Sequence, residues 1–301
     1  MLSRKNKLLL LKFLSLFSVV RGYNILMIVL AQYLASIYIL APNLPVRRVV
    51  FDLNLFVLVV ASSLVIAGGY IINNFYDSEK DLINKPRKSK LDRLVSQRTK
   101  LSTYFVLNFL AVFCASYASF KAVLFFSAYI FGIWFYSHKL KKIAFVGNLV
   151  SAVLAITPFF VVFVYYKNFD TVIFVHATFL FLLILAREMI KDLENIAGDI
   201  AQNYKTIPIL YGVSFAKSGI TALVLLSLIP SLLLINKFDV GYMFLYFLGA
   251  MLLLLIFLFL LWKSKTKMHY ITLHNIMKFI IISGVFSILL IDIHLVLNRI
   301  L

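Results

Sequence analysis

Residues 53–81, LNLFVLVVASSLVIAGGYIINNFYDSEKD, join an uninterrupted apolar run to an end rich in Asn and Asp. The run from Leu53 to Asn73 is long enough to cross a bilayer core of roughly 30 Å as a helix, which takes about 20 residues. Its apolar residues do not alternate with polar ones, which argues against a barrel strand. The stretch therefore predicts a membrane-spanning helix with acidic residues at one end.

Similar apolar runs recur along the whole chain, and 62% of its 301 residues are hydrophobic, far above the roughly 45–50% of soluble domains. We predict an all-α polytopic membrane protein that forms one domain, 1–301. Residues 1–20 are predicted to be a basic juxtamembrane helix and not a signal peptide, because Lys12 interrupts the apolar stretch and no cleavage site follows. The nine predicted transmembrane helices lie near Tyr23 to Leu40, Leu53 to Asn73, Ser102 to Phe120, Ala122 to Tyr136, Ala144 to Tyr166, Val172 to Met189, Gly219 to Ile235, Tyr242 to Trp262 and Ile271 to Leu295.

The net charge of +18 raises the question of a nucleic-acid partner, which the placement of the basic residues answers. With nine spans and the N-terminus inside, most of the 30 basic residues fall in inside segments, Lys278 among them. The positive-inside rule explains this bias, so the charge indicates orientation and not nucleic-acid binding. It predicts an integral protein of a bacterial or archaeal-type cell membrane, with a cytoplasmic N-terminus. The six basic residues outside are Arg47, Arg48, Lys121, Lys167, Lys237 and Arg299.

The acidic residues are few and unevenly placed. Only 12 Asp and Glu occur, and eight of them follow the second and sixth spans on the inside. The other four, Asp52, Asp170, Asp239 and Asp292, stand singly near outside ends and are interpreted as interfacial charges. The two groups are Asp77, Glu79, Asp81 and Asp92, and Glu188, Asp192, Glu194 and Asp199.

The first group has helical spacing. If residues 73–81 continue the second helix, then Asn73, Asn74, Asp77 and Asp81 share one face, while Glu79 points elsewhere. Like charges four residues apart repel on a bare helix. A Mg²⁺ ion reverses that sign, because it takes oxygen ligands and is commonly held by one or two carboxylates and substrate phosphates. The spacing therefore predicts a magnesium site.

The second group repeats the arrangement at the end of the sixth helix. Glu188, Asp192, Asn195 and Asp199 are spaced by four, three and four residues and form one stripe. Two such faces on the same membrane side can bracket a diphosphate through Mg²⁺ ions.

At these residues the chain resembles the UbiA-type superfamily of intramembrane prenyltransferases. The first group reads Asn73-Asn74-x-x-Asp77-x-x-x-Asp81 and is followed by Ile83-Asn84-Lys85-Pro86-Arg87, which looks like the family's Asn-(Arg/Lys)-Pro-x-Arg continuation. Shorter similarities are Arg21-x-x-Asn24, Tyr136-Ser137-x-x-Leu140-Lys141 and Gly147-Asn148. The resemblance implies a nine-helix bundle around a central cavity and Mg²⁺-dependent transfer of a prenyl group from a polyprenyl diphosphate donor to a lipophilic acceptor.

The resemblance also implies roles for individual residues. Asp77, Asp81, Asp192 and Asp199 would be the catalytic carboxylates. The implied metal ligands are Asn74, Asp77, Asp81, Glu188, Asp192, Asn195 and Asp199. The residues implied to bind the diphosphate are Arg21, Asn24, Asn73, Arg87, Lys141, Arg187 and Lys191.

Within the superfamily, residues 187–208 look most like the branch that transfers geranylgeranyl to geranylgeranylglyceryl phosphate. Asn74 and Asn195 stand where an Asp is expected, and Asn203 stands where Gly is usual, which requires a left-handed backbone there. Aromatic acceptors of quinone biosynthesis, such as 4-hydroxybenzoate, remain an alternative. Outside this class, the alternatives are a cation-coupled transporter and a CDP-alcohol phosphotransferase, whose Asp-Gly-x-x-Ala-Arg pattern is absent.

Overall fold

The computed structural model describes residues 4–292. Residues 1–3 and 293–301 lie outside this range, and with them the predicted end of the ninth span at Leu295 and the outside charge Arg299. The N-terminal basic segment is helical from Arg4 to Val20.

Helices form nearly all of the described chain, and nine of the helices between residues 4 and 292 are long and apolar enough to cross a membrane, as predicted. The first span is α2 with its π-helical continuation Ser36–Leu40, and the others are α4 and α7 to α13. The helices are α1 (Arg4–Val20), α2 (Gly22–Ala35), α3 (Val46–Val50), α4 (Leu53–Tyr76), α5 (Ser78–Asn84), α6 (Pro86–Asp92), α7 (Gln97–Ala118), α8 (Phe120–His138), α9 (Val146–Tyr166), α10 (Thr171–Ala201), α11 (Ile207–Lys237), α12 (Phe244–Lys263) and α13 (Lys267–Ser287).

The interior has two apolar clusters. One joins α4, α7 and α8 through side chains such as Ile71, Ala111 and Phe126, and the other joins α10 to α13 through residues such as Leu183 and Phe247. The outer surface is also apolar, with large hydrophobic side chains exposed along the spans. Such a surface suits lipid, and the helices satisfy their own backbone groups as lipid requires.

The length of α10 places the second acidic stripe. Its 31 residues extend about 46 Å at 1.5 Å per residue, which exceeds a bilayer core of about 30 Å. The C-terminal turns that carry Glu188 to Asp199 therefore reach the membrane edge. There they face α5, one of two short helices that follow α4.

The short helix α6 is fastened to the N-terminal helix. The hydroxyl of Ser15 donates a 2.7 Å hydrogen bond to the carbonyl oxygen of Leu91, and the hydroxyl of Ser18 donates one of 3.2 Å to Asp92. Two backbone positions also have a left-handed conformation that shapes this end of the bundle. Arg21 (φ 53°) separates α1 from α2, and Asn203 (φ 55°) lies in the loop between α10 and α11, with the left-handed backbone expected for an Asn in place of Gly.

Candidate functional site

A cavity of about 420 Å³ opens between the helices and has one polar and one apolar end. The polar end lies between the α4–α5 junction and the C-terminal part of α10, so the structure brings the two predicted acidic groups to one place. The predicted site residues that line the cavity are Arg21, Asn24, Asn73, Asp77, Asp81, Lys141, Arg187, Glu188, Lys191, Asp192 and Asn195.

Asp77 lies at a break between two helices. The second span ends at Tyr76, Asp77 leaves the helical conformation (φ −92°, ψ 5°), and α5 begins at Ser78. The prediction that residues 73–81 form one continuous helix is therefore corrected. Because α4 stops there, the Asp77 carboxylate lies buried under the loops that follow α8 and α10.

The Asp77 carboxylate is held by two donors. Lys141 donates a 2.6 Å hydrogen bond to Asp77 Oδ1 and a 3.2 Å bond to Asn73 Oδ1, and the hydroxyl of Tyr204 donates to Asp77 Oδ1 at 3.1 Å. Burial alone raises the pKa of Asp77, but the charges of Lys141 and Lys80 outweigh it and hold that pKa below its usual range. Asp77 is therefore ionised and ready to act as an oxygen ligand.

The charge of Asp77 shifts the pKa of three other groups near it. Burial and the negative charge of Asp77 raise the pKa of the Asp81 carboxyl. Burial lowers the pKa of Lys80, but Asp77 and Asp199 more than offset this and raise it. Burial and Asp77 also raise the pKa of Tyr204, which keeps its hydroxyl a neutral donor.

The stripe on α10 has a partner for each of its first two carboxylates. Glu188 Oε2 accepts hydrogen bonds from Lys191 (2.6 Å) and Ser151 (2.9 Å). Asp192 Oδ2 accepts one from the side-chain amide of Asn148 at 2.8 Å. Both partners on α9 face the cavity, so α9 orients the carboxylates of α10 toward it.

Further along α10, Asp199 is completely buried and forms an ion pair with Lys80 of α5. This contact links the first acidic segment to the second, although Asp199 does not itself line the cavity. The nearby Asn195 does line it.

A second link between α5 and α10 is made by Asn84. Its side-chain oxygen accepts a hydrogen bond from the backbone N–H of Gly198 (3.1 Å), and its amide donates to the carbonyl oxygen of Asn195 (3.3 Å). A Cβ atom at position 198 would lie 2.3 Å from the Asn84 amide nitrogen, so only Gly permits this approach.

Like Asp199, the predicted site residues Asn74 and Arg87 do not line the cavity. The Asn74 amide donates to Asp92 Oδ2 (3.0 Å) and its oxygen accepts from Lys100 (2.8 Å), so both ends are engaged on the far side of α4. Arg87 is exposed on α6 and does not line the cavity. The geometry therefore does not support Asn74 as a metal ligand or Arg87 in diphosphate binding, and both roles stay predictions from the sequence.

The sequence interpretation missed several residues in or beside the cavity. Lys80 and Lys278 were counted only as topology charges, and Tyr204 was not considered, yet Lys80 and Lys278 line the cavity and Tyr204 contacts Asp77. One pattern could have identified Lys278, because it is a charged residue in the middle of an apolar run, and such residues are functional by default. No comparable pattern points to Tyr204, whose role depends on how the loop folds.

The oxygen atoms at the polar end suit a Mg²⁺ ion that is shared with a phosphate ligand. In the described part of the chain, no group of three or more His, Cys, Asp or Glu side chains is close enough to hold a metal alone. The buried oxygen atoms Asn195 Oδ1 and Asp199 Oδ2 nevertheless lack a hydrogen-bond partner, and so does Nε of Arg187. Unsatisfied buried polar atoms are costly, so this arrangement indicates a ligand with both a cation and an anion.

Comparison with known proteins identifies the family of this chain. A model of the UbiA prenyltransferase family matches residues 29–282. Digeranylgeranylglyceryl phosphate synthase of Thermococcus sibiricus is 36% identical over 168 residues, which are 54% of this chain and 59% of that protein. The chain thus aligns with less than two thirds of that relative. The corresponding synthase of Methanobrevibacter smithii is 26% identical over 75% of this chain and 80% of its own length.

Solved structures show the same fold. A structure of digeranylgeranylglyceryl phosphate synthase superposes with a TM-score of 0.69 at 21% identity and covers 92% of this chain and 97% of its own. A UbiA homologue from Archaeoglobus fulgidus bound to GPP and Mg²⁺ gives 0.66 at 14% identity, over 91% of this chain and 99% of its own. With most of its length matched by the family model, the chain belongs to the UbiA prenyltransferase family.

Proposed function

We propose that this protein is a Mg²⁺-dependent prenyltransferase that moves a geranylgeranyl group from its diphosphate to a geranylgeranylglyceryl phosphate-like acceptor. The observation that carries the proposal is the cavity itself, which joins a highly charged end to an apolar interior. A prenyl diphosphate has the same division between a charged head and an apolar chain. The synthase activity named for the relatives supports the choice of acceptor.

The donor head group would lie between the α4–α5 junction and α10. Arg21, Lys141, Arg187 and Lys191 line this end, and Arg187 Nε is a buried donor without a protein partner. These cations offset negative charge on the departing diphosphate, which is electrostatic catalysis. Asn24 and Asn73 contribute amide groups at the same end.

Mg²⁺, when bound, would supply further positive charge to the leaving diphosphate. The residues that would hold it are Asp77, Asp81, Glu188, Asp192, Asn195 and Asp199. Lys80 and Lys141 already pair with two of these carboxylates, so both lysines would turn toward the phosphates as the ligand enters.

The prenyl chain would extend into the apolar part of the bundle. A second cavity of about 240 Å³ shares Ala31, Phe159 and Leu180 with the first and is lined almost entirely by apolar side chains of α2, α9, α10, α12 and α13. The two cavities therefore form one passage from the charged end to the interior. Its walls also exclude water, which would quench an allylic cation.

The reaction replaces one C–O bond by another. The bond between allylic C1 and the diphosphate oxygen breaks, and its electron pair leaves with the diphosphate. The acceptor hydroxyl oxygen forms an ether bond to C1, and the hydroxyl proton passes to the released diphosphate. The ring of Tyr136 lines the cavity and offers an aromatic face to the allylic cation.

The positive-inside bias supports a cytoplasmic location for this end of the cavity and for the N-terminus. The segments that join α4 to α7, α8 to α9 and α10 to α11 carry ten of the 30 basic residues and also close the charged end. A diphosphate made in the cytoplasm would reach it without crossing the membrane.

The test is a transfer assay with purified protein in detergent. Labelled geranylgeranyl diphosphate and Mg²⁺ are incubated with geranylgeranylglyceryl phosphate, 4-hydroxybenzoate or dihydroxynaphthoate. We expect an ether product with the first acceptor, and loss of product with EDTA and in Asp77→Ala and Asp199→Ala. Asp170→Ala, at the opposite end of α10, is the matched control and should remain active. Product from an aromatic acceptor alone would overturn the choice of acceptor, and full turnover in EDTA would overturn the mechanism.

A further inference from the structure

More cationic side chains than carboxylates line the cavity. Among the described residues, seven cationic side chains line it against four carboxylates. Four of the cations pair with Asp77, Glu188 or Asp199. Arg21 and Lys85 lie close enough to Asp81 to influence its pKa. The remaining cation is Lys278 of α13.

Lys278 occupies an energetically costly position. It is the twelfth residue of α13, about 16 Å along the helix from Lys267 at 1.5 Å per residue, and is flanked by apolar turns. In the part of the chain that the structure describes, no carboxylate lies within ion-pair distance of it. Its ammonium lies 4.8 Å from the centre of the Tyr23 ring. A lysine at this depth without an anionic partner indicates a bound anion.

The surroundings of Lys278 differ from those of the proposed diphosphate site. Of the described residues that line the cavity, the carboxylates belong to the α4–α5 junction and to α10. Asp77 and Lys141 are both buried there. Tyr23, beside Lys278, is 54% exposed. The Lys278 position therefore lies toward the margin of the bundle and suits an anion that carries no metal.

The order of side chains along α13 also fits a lipid phosphate. Lys278, Ile281 and Ile282 all line the cavity, one helical turn apart, so a charged group is followed directly by apolar ones. On α2, which packs against α13, Leu26 is 68% exposed. An acyl or prenyl tail could therefore remain among membrane lipids on this side.

We propose that Lys278 binds the phosphate monoester of the acceptor and thereby selects a phosphorylated acceptor over a neutral one. The inference rests on the proposed function. With the phosphate at Lys278, the acceptor would enter from the α2–α13 side, and its hydroxyl would point toward the donor at the α4–α10 side.

The test compares two acceptors, geranylgeranylglyceryl phosphate and geranylgeranylglycerol, in the wild type and in Lys278→Met. Loss of a charged hydrogen bond to phosphate should raise the acceptor KM by about tenfold or more. The donor KM should stay within about twofold, and the preference for the phosphorylated acceptor should fall by about the same factor as the KM rises. Lys278→Arg should retain the preference.

Lys263→Met is the matched control, because Lys263 also lies over an aromatic ring, Phe259, but is outside the cavity. It should leave both KM values unchanged. If Lys278→Met does not fold, Lys278→Gln replaces it in the same comparison. An unchanged acceptor preference would overturn the inference while the proposed function stands, and a selective rise in donor KM would instead make Lys278 a diphosphate ligand. A wild type that transfers to neither acceptor would overturn both.

Discussion

The side-chain oxygen of Asn84 accepts a 3.1 Å hydrogen bond from the backbone N–H of Gly198, and this contact joins the two acidic segments of the protein. The residues are 114 positions apart in the chain. Together with the ion pair between Lys80 and Asp199, the contact fixes α5 against α10. Both sides of the charged cavity are thereby held at a defined separation.

Gly198→Ala should disrupt this junction. The added Cβ would lie 2.3 Å from the Asn84 amide, and such overpacking costs about 1–3 kcal/mol. A displacement of about 1 Å at the carboxylates would lower turnover by up to about 100-fold. Turnover and the melting temperature in detergent measure the two effects. Gly249→Ala, where nothing lies within 4 Å of the new Cβ, should change neither, and normal turnover in Gly198→Ala would contradict the role of this contact.

Tyr204→Phe should reduce activity mildly. The change removes one of the hydrogen bonds to Asp77 but leaves Lys141 in place, so a net loss of about 0.5–1.5 kcal/mol, or about 2- to 13-fold in kcat/KM, is expected. Steady-state kinetics at saturating Mg²⁺ measure it. Tyr117→Phe is the control, because Tyr117 is 70% exposed and lies outside the cavity. Equal kinetics for the two variants would show that Tyr204 does not support Asp77.

Asn74→Ala should lower stability without changing the Mg²⁺ requirement. It leaves Lys100 and Asp92, both nearly completely buried, without an amide partner, at a cost of about 1–3 kcal/mol. Asp192→Ala should instead raise the Mg²⁺ concentration needed for half-maximal rate. Melting temperature and a Mg²⁺ titration separate the two variants. A raised Mg²⁺ requirement in Asn74→Ala would show that Asn74 is a metal ligand after all.

Asn74 and Asp77 lie in the same motif but have different surroundings, and they show how much of the site could be predicted from the sequence. Apolar length was enough to predict nine spans, and helical spacing was enough to select the α10 stripe, because α10 is a continuous helix. Spacing failed at residues 73–81 because the helix breaks at Asp77. No local pattern showed that Asp92 and Lys100 would engage Asn74, since that contact depends on how α6 and α7 pack. The contact between Tyr204 and Asp77 could not be predicted for the same reason, since it depends on how the loop after α10 folds.

Ala31→Phe should shorten the donor that the enzyme accepts. Ala31 is buried and lines both cavities, so a larger side chain would narrow the passage between them. We expect turnover with geranylgeranyl diphosphate to fall by about tenfold or more. The Phe side chain would occupy space that the prenyl chain needs, and forcing both into that space is costly. Dimethylallyl diphosphate, which does not reach the second cavity, should be used as well as by the wild type. A parallel loss with both donors would argue against the passage as the site of the prenyl chain.

The most direct test of the shared metal–diphosphate site is an anomalous difference map from crystals grown with Mn²⁺ and the unreactive thio-analogue of geranylgeranyl diphosphate. Mn²⁺ replaces Mg²⁺ at oxygen-rich sites and can be located by its anomalous scattering. We expect Mn²⁺ peaks between the diphosphate and the carboxylates of Asp77, Asp81 and Asp192, with the prenyl chain directed toward Ala31. Mn²⁺ peaks away from both acidic segments, or a diphosphate bound outside the α4–α10 cleft, would contradict the proposed site.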